Sequence, residues 1–220
     1  MNKPQGKANC KWTPELAYAI GLIVTDGCLY SDGRHLNLTS KDLEQVKTFA
    51  RILGLKNKIG KKASGSNRSK DYYNFQFGDV NFYRFLVSIG VTPNKTKTIG
   101  SVDIPKRYFR DFLRGHFDGD GCTYSYYDPR WQRSFLLYLT FISASKKHMD
   151  WICQEIMDKA GIQGRVTHPS KSIFQVRFAK YDSMKLFEFI YYMPELPCLT
   201  RKRLKFAEAV ATAHLSNKLV

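Results

Sequence analysis

The sequence predicts an α+β fold made of two pseudo-symmetric αββαββα repeats, residues 1–100 and 101–220. Three observations carry this. An apolar, helix-like stretch ending in Asp-Gly-Cys occurs twice, as "GLIVTDGC" from Gly21 and "GHFDGDGC" from Gly115. The same succession of alternating and helical segments follows each copy. And 220 residues, 43% hydrophobic and 25% charged, are enough for one large or two small domains with a real core.

The elements follow in order. In "WTPELAYAIGLIVTDG", Thr13 suits an N-cap, Pro14 the first helical position, and Glu15 the positive helix end. Gly27 suits a left-handed cap at the other end. "RHLNLTS" alternates Leu36 and Leu38 with His35, Asn37 and Thr39, which predicts a strand with one apolar face. "KDLEQVKTFARILG" carries Leu43, Val46, Phe49 and Leu53 in helical register, and a hairpin with Gly and Ser in its turn spans "KNKIGKKASGSNRSKDYYNFQF". The helical stretch "NFYRFLVSIG" closes the first repeat.

The second repeat opens on "IPKRYFRDFLRGHFDGDG", with Pro105 at the start and Gly121 at the stop. Strand "FLLYLTFIS", helix "KKHMDWICQEIMDKAG", strands around "GRVTH" and "SIFQVRF", and helix "YDSMKLFEFIYY" keep the order, and a last helix begins near Thr200. "NFQFGD" aligns with "QVRFAK", pairing Asn74 with Gln175 and Gln76 with Arg177, and "TSK" at Thr39–Lys41 aligns with "ASK" at Ala144–Lys146.

The charge balance narrows the partner. Thirty-five Lys and Arg against 19 Asp and Glu leave +16, which favours a polyanion. No apolar run approaches the ~18 residues that span a bilayer, and "MNKPQGKANCKW" lacks the apolar core of a signal peptide. Five cysteines, an odd number without zinc or redox spacing, fit reduced thiols in an intracellular, non-secreted protein. The expectation is a protein that stays where its host's DNA lies, with no membrane partner.

A single Asp-Gly after an apolar helix is ordinarily a helix stop or a turn. Duplication gives it more weight. Ala17, Gly21 and Thr25 line one face of the first helix, and Gly115 and Gly119 line one face of the second. Missing side chains let two helix axes approach closer than the usual ~8–10 Å. If these faces pack together, Asp26 and Asp120 emerge side by side, and two carboxylates at that range repel unless cations lie between them. Oxygen-rich, water-keeping sites suit Mg²⁺. Paired metals beside a basic surface suit in-line phosphodiester hydrolysis.

"AIGLIVTDG", Ala19–Gly27, and "LRGHFDGDG", Leu113–Gly121, resemble the nine-residue motifs of the LAGLIDADG homing endonucleases of the single-chain, two-repeat type. The resemblance covers nearly the whole chain. It implies a saddle of two four-stranded antiparallel sheets astride double-stranded DNA, acting as a functional monomer. It implies a site-specific, Mg²⁺-dependent endonuclease making a staggered double-strand break in a long, loosely palindromic target. Two or more divalent ions would lie at the interface of the motif helices. The final acids, Asp26 and Asp120, would be metal ligands and catalytic, with the backbone carbonyls of Thr25 and Gly119 completing the coordination. The family's basic residue falls on Lys97 in "TPNKTKTIG" and Lys202 in "CLTRKRLKF", with Lys95, Arg201 and Arg203 as confusable neighbours. The sequence departs at the acid that opens "DADG", which is Val24 in the first copy and Asp118 in the second. It departs again at the polar position that often orders water, which falls on Ser40 and Ser145. Asp118 is expected to face away or to support the interface.

Alternation also nominates the DNA-reading face. His35, Asn37, Tyr72, Asn74 and Gln76 oppose core residues in the first repeat, and Tyr138, Thr140, Lys171, Gln175 and Arg177 do so in the second. Asn, Gln and Arg can make bidentate contacts to base edges. The basic runs Lys56, Lys58, Lys61, Lys62, Arg68, Lys70 and Arg165, Lys171, Arg177, Lys180 fit phosphate contacts. "YSYYDPRWQR", with Arg130 and Arg133, would lengthen the second half's footprint. An RNA-binding intron maturase, with intron RNA as partner, and a non-cleaving DNA-binding regulator of the same fold are the competing functions. Retention of both Asp26 and Asp120 counts against the maturase as the sole role, and a regulator of this fold usually carries an added helix-turn-helix. No splicing-domain sequence flanks the repeats, which points to an intron-encoded or free-standing protein.

Overall fold

The computed structural model describes residues 7–63 and 71–218. Arg68 and Lys70, named above among the basic residues, lie outside them. The first run of elements is α1 (Pro14–Asp26), β1 (Gly27–Leu29), β2 (His35–Ser40), α2 (Leu43–Ile52), β3 (Ile59–Ala63), β4 (Asp71–Gly78) and α3 (Val80–Ser88). A 3₁₀ turn at Lys106–Tyr108 then leads into α4 (Phe109–Asp120), β5 (Cys122–Asp128), β6 (Trp131–Ser143), α5 (Lys146–Ala160), β7 (Arg165–Ser170), β8 (Ile173–Phe178), α6 (Lys180–Ile190) and α7 (Thr200–Lys218). Two antiparallel four-stranded sheets result, ordered β1-β2-β4-β3 and β5-β6-β8-β7. No described helix is long and apolar enough to cross a membrane.

α1 and α4 lie at the centre. Thr13 caps α1 by accepting from the Leu16 amide at 3.1 Å, with Pro14 just inside. Every residue from Leu16 to Val24 is buried, because α1 packs on α4 along one face and on its own sheet along the other. The two helices meet backbone to backbone. A Cβ on Gly21 would lie 2.3 Å from the Phe112 carbonyl oxygen, and one on Gly115 2.0 Å from that of Tyr18. One turn on, a Cβ on Gly119 would strike the Thr25 hydroxyl at 1.9 Å.

The glycines after the two acids have another purpose than the expected one. Gly27 (φ −88°, ψ 152°) and Gly121 (φ −74°, ψ 154°) are extended, not left-handed. Each chain leaves its helix straight into a strand, so no reversing cap is needed. Glycine is required there by space: a Cβ would come within 2.6 Å of Ile23 Cα in one copy and of Phe117 Cα in the other. Positive-φ glycines stand instead after α2, α3 and α5, at Gly54 (φ 67°), Gly90 (φ 98°) and Gly161 (φ 65°). Pro105 begins the 3₁₀ turn rather than α4 itself, which starts at Phe109.

Strand register fixes how the halves correspond. Cys28 pairs with Asn37 and Asn37 with Gln76; Cys122 pairs with Thr140 and Thr140 with Arg177. Gln76 therefore corresponds to Arg177 and Asn74 to Gln175, as the sequence alignment has it. Counting on from Asn37 and Thr140, Ser40 corresponds to Ser143, Asp42 to Ser145 and Gln45 to His148. The "TSK"/"ASK" alignment is thus two residues out of register. The hydrogen bonds agree, since Ser40 Oγ accepts from the Asp42 amide and Ser143 Oγ from the Ser145 amide, both at 3.1 Å.

The halves differ most at their first hairpins. β1 and β2 have 3 and 6 residues, whereas β5 and β6 have 7 and 13, with a register shift at Tyr127/Asp128.

Candidate active site and DNA interface

The ends of α1 and α4 carry Asp26 and Asp120. Burial raises the Asp26 carboxyl to about 6 and Asp120 adds repulsion; Gln45, Lys202 and Lys95 oppose both effects. Asp120 sits at the open end of the helix pair, with solvent on one side. Protein crowding on the other raises its pKa, against the pull of Lys202 and Lys95. The site therefore holds two mutually repelling carboxylates that lack full compensation by cationic side chains.

Two lysines flank them, and they are matched. Lys202 Nζ donates to the carbonyls of Phe117 (2.9 Å), Gly119 (2.8 Å) and Gly121 (2.8 Å) at the end of α4. Lys95 Nζ donates to the carbonyl of Gly27, the counterpart of Gly121. Burial lowers the pKa of both ammonium groups. The sequence alone points to Lys97 as the first lysine. The structure places Lys97 at the exposed surface and Lys95, 7% exposed, against the motif. The reason is spacing. Val91, Lys95 and Ile99 are four apart and all buried, so that face of the tight turn points inward.

Gln45 is a further site residue that sequence reasoning missed. Its Nε2 donates to Asp26 Oδ2 at 2.8 Å, and its Oε1 accepts from Ser40 Oγ at 3.1 Å. Ser40 thus reaches the acid only through Gln45. The available signal was a glutamine on the core face of α2, beside Val46 and Phe49. In the other half His148 turns away from Asp120: its Nδ1 lies 2.7 Å from the Gly100 carbonyl and its Nε2 3.2 Å from His116 Nε2. A carbonyl only accepts, so His148 carries its proton on Nδ1 and accepts from His116. Ser145 caps α5 and donates to the Ile99 carbonyl at 2.5 Å, away from the acids.

Asp118 supports the interface, as expected. It accepts from the Tyr18 hydroxyl of α1 at 2.8 Å and from the Leu199 amide at 2.7 Å. Complete burial raises it to about 7, with both hydrogen bonds opposing.

The donor set fits a hard divalent cation. Among the described residues no group of three or more His, Cys, Asp or Glu gathers to form a metal cage. Two carboxylates would need carbonyls, waters and a phosphate to complete a shell, which is the habit of Mg²⁺. The carbonyls of Thr25 and Gly119 stand at the helix ends, where intrahelical partners run out. That of Gly119 also accepts from Lys202. The Thr25 hydroxyl turns back to the Leu22 carbonyl at 3.1 Å, so only its main chain is free to serve.

One face of each sheet carries the nominated reading residues. Asn37, Asn74 and Gln76 alternate with buried Leu38, Phe75 and Phe77; Thr140, Gln175 and Arg177 alternate with Phe141, Val176 and Phe178. Asn37 donates to the Tyr30 hydroxyl (2.9 Å), Asn74 to Thr39 (3.1 Å) and Gln175 to Thr167 (3.0 Å), which holds the amides flat on the face. Thr140 donates to the Cys122 carbonyl at 3.4 Å. The Arg177 guanidinium stacks 3.7 Å over Tyr138. Arg165 stands directly opposite Arg177 in the strand register, which puts two cations on one sheet face. Lys62 pairs with Tyr72, whose ring also lies 5.5 Å from Lys41 Nζ.

The remaining candidates sit at the margins. His35 is tied to Asp32 at 2.5 Å. Lys56 and Lys58 are exposed in the connection into β3, and Lys171 in the β7–β8 turn. Arg133 is exposed, while Arg130 closes on Asp128 through two contacts of 3.1 and 3.0 Å, so its charge is partly spent. Tyr124 and Tyr126, opposite Tyr138 and Leu136, join the reading face and were named only as part of the loop.

No model of a known protein family matches the chain, and no curated protein is recognisably similar to it. Solved structures do match. Meganuclease I-SmaMI, bound to uncleaveable DNA, superposes with TM-score 0.63 at 13% identity, covering 97% of this chain and 92% of that one. The I-LtrWI LAGLIDADG homing endonuclease, bound to target DNA, gives 0.62 at 11% identity over 93% and 91%. Full-length DUF199/WhiA from Thermatoga maritima gives 0.57 at 14% identity; the match covers 96% of this chain but 62% of that one. Nuclease and non-nuclease names thus share this architecture, and the fold alone does not assign cleavage. The chain has the LAGLIDADG homing endonuclease fold.

Proposed function

We propose that the chain is a site-specific DNA endonuclease that hydrolyses one phosphodiester in each strand of a long, loosely palindromic duplex target. One observation carries the reading: two only partly compensated carboxylates, Asp26 and Asp120, lie at the ends of backbone-packed helices, flanked by the buried Lys95 and the half-buried Lys202. A structural helix end has no use for mutually repelling acids. The repeats 1–100 and 101–220 would each read one half-site.

Bound divalent metal, Mg²⁺ by its donor set, would supply a nucleophilic hydroxide at neutral pH and neutralise phosphate charge. The chain's own residues do the rest. Asp26, Asp120 and the carbonyls of Thr25 and Gly119 bind the ions, and Gln45 fixes the rotamer of Asp26. The ammonium groups of Lys95 and Lys202, held by main-chain carbonyls, face the charge that grows on the phosphate oxygens. The sheet faces hold the duplex in register, with Gln76, Arg177 and their neighbours toward base edges and the lysines toward phosphates. DNA entering this basic surface displaces water from the acids and strengthens each of these interactions.

A non-cleaving DNA-binding regulator has one observation in its favour. Lys202 is satisfied by three carbonyls, as a pure helix cap would be. Asp26→Asn and Asp120→Asn separate the readings. Each should abolish double-strand cleavage and leave duplex binding intact, since removing negative charge does not weaken phosphate contacts. Undiminished cleavage by either variant refutes the assignment.

A further inference from the structure

Lys202 belongs to a segment pinned from three sides. Leu199 donates its amide to Asp118 at 2.7 Å, and Lys202 itself grips the end of α4. The third anchor comes from the other half of the molecule. At the start of α2, Glu44 accepts from the Thr200 amide at 3.2 and 3.3 Å and from its hydroxyl, while Asp42 takes Arg201 in a two-point pair at 2.8 and 2.7 Å. The Arg201 guanidinium holds Asp42 below the ordinary carboxylate range, and Asp42 raises Arg201 in return. Glu44 also caps the N-terminus of α7, where an anion complements the unpaired amides.

The corresponding contact in the other direction is different in kind. The start of α5 reaches the segment after Lys95 through Ser145 to the Ile99 carbonyl and His148 to the Gly100 carbonyl. Ser145 stands where Asp42 stands, and neither contact is ionic. The first turn of α2 has a second task as well, because Gln45 on the same turn holds Asp26. One helical turn thus touches Asp26 of its own half and the lysine segment of the other.

We propose that Asp42 and Glu44 are positioning residues for Lys202, so that one of the two cleavage centres is held by an ion-paired clamp from the opposite half while the other is not. This rests on the endonuclease reading. The clamp fixes the start of α7 and with it the reach of the ammonium toward its phosphate. Removing it loosens the start of α7 and the placement of Lys202, leaving the contacts with Asp118 and the end of α4, and it spares the core because Arg201 and Glu44 are exposed and Asp42 is half-buried.

The test compares strands. On a cleaved duplex with each strand end-labelled, Lys202→Met identifies the strand Lys202 serves. Asp42→Asn with Glu44→Gln should slow that strand by about tenfold or more, since misplacement of order 1 Å costs up to ~10²-fold. The other strand should stay within about twofold of wild type. Exchanging the pair, Asp42→Arg with Arg201→Asp, should recover most of the loss. Equal slowing of both strands, no slowing, or failure of the exchanged pair to recover overturns the proposal. A readout that needs no cleavage keeps the two readings apart. The Lys202 ammonium protons, shielded by three carbonyls, should exchange slowly by NMR in the wild type and fast in Asp42→Asn/Glu44→Gln. Unchanged exchange overturns the clamp even if the protein cuts nothing, whereas a wild type that cuts no DNA overturns only the endonuclease reading.

Discussion

Gly115→Ala tests the packing that brings the two acids together. The added methyl would sit 2.0 Å from the Tyr18 carbonyl oxygen and 3.2 Å from Gly21 Cα, both on α1. Neither neighbour is a flexible side-chain end, so α4 must retreat by about 1 Å before the contact becomes tolerable. Overpacking of this kind costs roughly 1–3 kcal/mol and sometimes more. Alanine in a helix interior returns up to ~1 kcal/mol of propensity, which leaves a net loss of about 1 kcal/mol at the middle of the overpacking range. For a chain of this size that is a fall in Tm of roughly 2–4 °C. Catalysis should suffer more, because the same retreat moves Asp120 from Asp26 and a displacement of ~1 Å can cost about 10²-fold in rate. Thermal unfolding and plasmid cleavage measure the two effects, with Gly100→Ala as control: its added methyl meets nothing within 4 Å. If Gly115→Ala matches the wild type in Tm and rate, the backbone-to-backbone contact does not set the spacing of the acids.

Other outcomes follow from the site and its surroundings. Lys95→Met should slow cleavage by about 10²-fold, the scale of losing one electrostatic stabiliser. Lys97→Met should leave the rate near wild type, so a time course in which Lys97→Met is the slower variant would reverse the assignment. Burial holds His148 near 4, against an ordinary 6.5. The unfolded chain therefore binds the proton first, and stability present above pH 6.5 is lost as pH falls toward 4, by roughly 3 kcal/mol. Urea midpoints across that window should show a slope that His148→Gln flattens; an equal slope in the variant would contradict it. Arg177→Ala should relax preference at one or two base pairs of a single half-site, by about 1–3 kcal/mol per lost bidentate contact. Uniform weakening across sequences would make Arg177 a phosphate contact instead.

The repeat, three strands of each sheet and the correspondence of Gln76 with Arg177 were legible because each rests on periodicity over several residues, whereas the fourth strand came only from the family resemblance. Alternation placed Asn37, Asn74, Gln76, Thr140, Gln175 and Arg177 on open sheet faces without any knowledge of tertiary contacts. The errors lie where one residue of slippage changes the outcome. Lys95 and Lys97 differ by which side of a tight turn faces inward, and only their four-residue spacing from Val91 and Ile99 separates them. Gln45 was passed over because a glutamine on an amphipathic helix reads as a surface residue until Asp26 is seen beside it. Gly27 suits a left-handed cap on sequence grounds because a glycine after a helix usually is one. Here the strand begins at once, and steric space rather than a positive φ demands glycine. The ionic contact of Asp42 and Glu44 with Arg201 and Thr200 joins residues more than 150 apart, and nothing local in the sequence announces it.

The central claim is that Asp26 and Asp120 make this chain a metal-dependent nuclease and not solely a DNA-binding protein. Incubating it with a randomised duplex library, with Mg²⁺ or with EDTA, and sequencing both the cut ends and the retained uncut duplexes tests that claim directly. Staggered ends from one long, loosely palindromic site are expected, formed in Mg²⁺ and absent both in EDTA and with Asp26→Asn. Specific retention of a duplex that is never cut in Mg²⁺ would contradict it and leave the regulator reading in its place.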